Sequence, residues 1–269
     1  MAAKVKRFFY YLRLFPYFVS RSLQARMAYK VDFFLGVGAS ILMQLLGFVF
    51  IWTIFQNIPD INGWGFYQMA FVYGMAAIPL GLNEFLFAGT WAVPRYIGEG
   101  SLDRLLLRPL STIFSIMAAD VTLHGLGSVL FGLAVCIYSL VQLELVLSPL
   151  MVLFWICAIL CGTLIQYALN MLMATLSFWV INSQSAMVLV QNISEFSKYP
   201  IAIYQKGLQL FLSFVVPYAF CSFYPSSFLL GVHTDLIYWA GPFLAAGVML
   251  LISWAFWRFA LSQYQSAGG

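Results

Sequence analysis

At 269 residues, with 63% hydrophobic side chains, only 8% charged and a mean hydropathy of +0.91, the chain is excluded from ordinary soluble domains, where about 25% charged is usual. Its formal charge of +4 is weak and localised, with seven of the thirteen Lys and Arg before residue 31, so nucleic acid is not an expected partner. Apolar runs of twenty or more residues recur, each long enough to cross a bilayer core about 30 Å thick, so the chain reads as an all-α integral membrane protein.

Residues 1–32 carry Phe8, Leu12, Phe15, Val19 and Leu23 on one helical face beside Lys6, Arg7, Arg13 and Arg21. That pattern predicts a cytoplasmic helix lying in the membrane interface, with Pro16 as a break or fresh start. No short apolar core with an A-x-A-like cleavage site follows, so the N-terminus is expected to be kept. Span one runs from Phe33 to about Gln56. Asn57 to Trp64 is a turn-forming loop without basic residues, which places it on the non-cytoplasmic side. Span two returns from about Gly65 to Gly89.

Trp91 to Pro109 is a polar island between apolar runs and holds Arg95, Glu99, Asp103, Arg104 and Arg108. Its mixture of helix formers and charges predicts a short helix at the water boundary, offered to a soluble partner. Span three follows from about Ile113 to Leu140 and span four from about Leu150 to Ile181, with a cytoplasmic hinge at Asn182 to Ser185. The last span is Leu236 to Trp257, closed by Arg258 and a polar tail.

Between them, Ala186 to Gly231 allows two readings. In one, 186–205 lies on the cytoplasmic face and 207–224 is span five; in the other, 186–200 crosses and 201–230 folds back as re-entrant helices on the outside. Counting charges favours the first, because the second leaves Lys198 and Lys206 outside. Both give six crossings with cytoplasmic termini. Without repeats or linkers the chain reads as one domain over 1–269, with a six-span region at 33–258 and a tail at 259–269.

Ionisable groups within spans are costly and mark candidate functional positions. Glu84 lies near the cytoplasmic end of span two, and Asp120 and His124 lie one turn apart on span three, close enough to hydrogen-bond along one face. Gln191, Asn192 and Glu195 are candidate pore-lining groups if their helix crosses. A structural alternative pairs Glu84 and Asp120 with Arg104 or Arg108 at the membrane edge. The two histidines, His124 and His233, fall in separate segments, so no paired-histidine metal site is expected. The four cysteines sit in apolar segments and read as small hydrophobes. Gly47, Gly74, Gly81 and Gly89 read as close-packing points between helices. No G-x-x-x-x-G-K-[S/T] phosphate loop occurs, so this chain is no ATPase by that route and has no cofactor of its own.

The island's I-G-E-G-S-L-D-R-L-L-L-R-P, from Ile97 to Pro109, resembles the cytoplasmic loop of ABC-2 transport permeases whose loop reads I-x-x-G-x-L-D-x-L-L-L-R-P. The proline-spaced segment from Tyr199 to Gly231 is similar to the same branch. The resemblance implies a permease subunit of a type V-like ABC exporter in a prokaryotic inner membrane. It also implies a second permease, identical or paralogous, and two cytoplasmic ATPase subunits holding ATP and Mg. An ion-coupled carrier or channel subunit is the alternative. The island would be the coupling helix, with Gly98 and Gly100 as turn points, Leu102, Leu105, Leu106 and Leu107 as apolar contacts, and Asp103, Arg104 and Arg108 as polar anchors. The family likeness also favours the re-entrant form of 201–230.

Overall fold

The computed structural model describes residues 10, 13–14, 16–21, 24, 30–117, 121–180 and 183–264. Most of the expected interfacial helix over 1–32 lies outside them, although 16–21 is helical. Five helices are long and apolar enough to cross a membrane: α1 (Lys30–Phe55), α2 (Phe66–Leu86), α6 (Gly125–Gln142), α7 (Pro149–Thr175, prolonged by a 3-10 turn to Phe178) and α11 (Leu236–Gln263). The last runs through Arg258 to Gln263, well into the expected polar tail.

At one end of the bundle α1 and α2 are joined by a small hairpin, β1 (Asp60–Ile61) against β2 (Trp64–Gly65). Asn62 and Gly63 both have positive φ, 53° and 80°, which is the backbone of the two-residue turns that an Asn-Gly pair favours. At the opposite, loop end lies the island, built from a 3-10 turn (Ala88–Ala92), α3 (Val93–Gly98), α4 (Leu102–Leu106) and α5 (Thr112–Met117). The predicted continuous span three is therefore two helices, because α6 starts only at Gly125. Just before α6, Thr122 donates its hydroxyl to the Glu84 carbonyl at 2.7 Å, fixing the chain across the end of α2.

The buried centre is α2, whose residues from Met69 to Gly81 are all buried. Small residues allow this. Gly74 faces Gly132 and Gly81 faces Gly125 across an antiparallel α2–α6 contact, and a Cβ on Gly74 or Gly81 would come within 2.7 Å or 2.5 Å of the opposing carbonyl oxygen. Such backbone approach is how helices gain contact where lipid supplies no hydrophobic drive. Gly162 of α7 packs against Pro79 in the same way.

By contrast α1 sits at the edge, with only Gln44 and Ile51 buried. It is pinned by Tyr73, whose hydroxyl, at 2.8 Å from the Gln44 carbonyl and 3.0 Å from its Oε1, donates to Gln44, while Gly47 leaves room for the phenol. Tyr73→Phe should lower stability by about 1 kcal/mol, the usual worth of such a bond. Thermal unfolding of the detergent-purified chain checks it.

The segment from 183 to 231 connects the two ends of the bundle. Helix α8 (Ser183–Ser194), prolonged by a 3-10 turn over Glu195–Lys198, begins at the loop end, where Met187 shares a cluster with Leu102 and Trp257. It ends at the hairpin end, where Tyr199 and Ile203 pack with Ile61 and Phe66 and the Asn62 amide donates to the Ala202 carbonyl at 3.0 Å. From there α9 (Lys206–Leu210), with a π turn over Phe211–Val215, dips inward. The chain then turns by 73° and continues through a 3-10 turn and α10 (Phe223–Leu229). At the bend the Cys221 thiol meets the Gly162 carbonyl of α7 at 3.5 Å, and Phe220 fills the space left by Gly241 of α11. On the way out Trp64 of the hairpin packs on Phe223.

Candidate functional site

Two features meet at the loop end. The first is the island, which forms two short helices rather than one. Gly100, at φ 66°, makes the turn between them. Gly98 is simply the last residue of α3, so the expected pair of glycine turn points reduces to one.

The four leucines divide by helical period. Leu102 and Leu105, three apart on one face of α4, are buried with Val93, Met187 and Trp257 inside the bundle. They are therefore not free to touch a partner, contrary to the expectation that all four would. Leu106 and Leu107 point outward, 41% and 87% exposed, flanked by exposed Arg104 and Arg108. Asp103 turns toward Tyr264 at the end of α11, whose phenol is raised above its ordinary pKa by partial burial and by this carboxylate. The island is thus seated on the last turns of α11, with Leu106 and Leu107 turned outward.

The second feature is a side cavity of about 780 Å³ between α1, the loop end of α2, the start of α6 and α8. Glu84, His124, Gln191 and Glu195 line it, four of the six candidate polar residues. Gln191 donates to the Glu84 carboxylate at 3.3 Å. Glu195 is held by Lys198 at 2.6 Å, and the Lys198 ammonium also lies 5.4 Å from the centre of the Tyr73 ring. His124 stands at the start of α6 against Gly36, and the expected pairing with Asp120 lies outside the described residues. Asn192 is exposed on α8 and does not line the cavity. No ion pair joins Glu84 to Arg104 or Arg108.

Two lining residues escaped the sequence. Gln44, whose amide donates to the Ser128 hydroxyl at 3.2 Å, stands one turn from Ser40 on the cavity face of an otherwise apolar run. That Ser40–Gln44 spacing was the available signal. Lys198, a misplaced charge by the count of basic residues, is buried beside Glu195 as half of an ion pair.

Over this frame, residues 41–268 match the family model described as ABC-2 family transporter protein. The chain belongs to that family. No curated protein matches it. Membership makes the chain a multi-pass membrane component of a transporter, and ABC-2 permeases partner with ATP-binding-cassette subunits. The side cavity and the island tip are therefore features of an ABC-2 family transporter protein.

Proposed function

We propose that the chain is the permease half of an exporter, paired with a second permease, identical or paralogous, and driven by two cytoplasmic ATPase subunits that hold ATP and Mg. Both termini are then cytoplasmic, in the inner membrane of a prokaryote. Residues 183–198 make the fifth of six crossings, although at roughly 26 Å they are short and polar. Leu106 and Leu107, with Arg104 and Arg108 beside them, are the contact offered to the ATPase. Leu102, Leu105 and Asp103 lock the island to α11, so a push on the tip moves α2, α11 and the base of α8 as one body.

The observation that carries this reading is the side cavity. Its rim residues Ala39, Met43 and Glu195 are exposed. An open polar cleft at membrane depth would leave Glu84, Gln191 and the Glu195–Lys198 pair facing acyl chains, which is costly. A second permease closing over α1 and α8 removes that cost and turns two clefts into one path.

In vesicles holding the chain and its ATPase, transport is expected to need hydrolysable ATP and to stop when the ATPase is inactivated. Transport that survives this inactivation and collapses with an uncoupler would select an ion-coupled carrier instead.

A further inference from the structure

A second groove, of about 580 Å³, lies beside the island, between the 16–21 helical stretch and α3, α4 and α5. Arg21, Arg95, Arg104 and Arg108 line it, with Glu99 as the one carboxylate. None of the four arginines makes an ion pair among the described residues. Arg21 is instead positioned by Tyr17, whose hydroxyl accepts from its Nε and one terminal nitrogen at 3.2 and 3.1 Å, and Arg95 lies over the Tyr96 ring at 5.8 Å. Four guanidinium groups around one groove repel one another unless an anion joins them. Ser115 adds an independent sign: it lines the groove, is 4% exposed, and its hydroxyl has no hydrogen-bond partner among the described residues.

The other wall is apolar. Phe18 and Phe114 meet edge to face at 6.0 Å and line the groove with Leu110. The exposed island tip, Leu106 and Leu107, does not line it. An arginine rim over an aromatic floor at the bundle's end fits an amphiphile, whose phosphate takes the guanidiniums in two-pronged fashion while its glycerol and first methylenes cover the rings. We infer that this groove holds the headgroup of an anionic phospholipid, seated between the interfacial segment and the island. Basic pockets at the membrane edge bind such headgroups by the same balance of charge and desolvation.

The test uses the full chain purified in detergent and offered phosphatidylglycerol against phosphatidylcholine, with bound lipid weighed by native mass spectrometry. Arg21 and Arg95 lie outside the residues assigned to ATPase contact, so the result is independent of the exporter reading. The wild type should keep phosphatidylglycerol selectively, and Arg21→Gln with Arg95→Gln should weaken retention by about thirtyfold, at the usual contribution of each surface arginine. Should the double variant fail to fold, each single substitution is read the same way, at about fivefold. Arg258→Gln, a basic residue on α11 stacked on Trp254 away from the groove, should leave retention unchanged. Retention unaffected by the groove substitutions, or reduced equally by Arg258→Gln, overturns the inference. Displacement of the lipid by inorganic phosphate alone would make the groove a free-anion site. Unchanged lipid with lost ATPase capture would make it a protein contact.

Discussion

Leu107→Asp is expected to weaken capture of the partner ATPase by about a hundredfold, the scale of losing a central contact residue, while the permease stays folded. Leu107 is 87% exposed and touches no core cluster, so a charge there costs the bundle nothing. Leu105→Ala should do the reverse. Its side chain is packed with Val93 and Trp257, and emptying that space should cost about 3 kcal/mol of stability before any effect on recruitment. Co-purification with the ATPase and thermal unfolding, run on both variants, separate the two roles. Normal capture by Leu107→Asp would show that the partner does not sit on the island tip.

The second large effect is at the α2–α6 seam. Gly81→Leu should destabilise the chain by about 3 kcal/mol or more. A side chain there meets the Gly125 carbonyl, the Ser128 Cβ and the Val129 methyl within 2.9 Å, and all three belong to α6, which cannot shift without pulling Gly132 off Gly74. Gly247→Leu is the matched control, because nothing lies within 4 Å of its missing Cβ. Unfolding in detergent, followed by circular dichroism, compares them. Equal stabilities would mean that the seam is looser than this packing requires.

Much of this frame is legible in the residues. Long apolar runs announce the five membrane helices, Asn62-Gly63 announces a tight turn, and the island stands out by charge alone. Gly74 and Gly81 suggest close packing, although only the structure supplies their partners, Gly132 and Gly125.

What escaped was set by tertiary contacts. The run from Ile113 to Leu140 is apolar enough to read as one span, but the Thr122–Glu84 bond and the approach of Gly125 to Gly81 fix a new start at Gly125. Residues 183–198 are too polar for hydropathy to mark, and what offsets that polarity, the Gln191–Glu84 bond and the Lys198–Glu195 pair, appears only in the fold. Leu102 to Leu107 carries no sign of which leucines turn inward, since Trp257 and Tyr264, which decide it, are more than 150 residues away in sequence.

The bent segment between Lys206 and Leu229 constrains how the chain can be built in the cell. Each arm reaches only about half the hydrocarbon thickness, and the turn at Val216 to Ser222 breaks the regular helix ladder, so its peptide groups need protein cover rather than oil. Its cover comes from α7, already made, and from α11, which leaves the ribosome later. During synthesis the two arms therefore complete their packing only after the last helix arrives to close their niche.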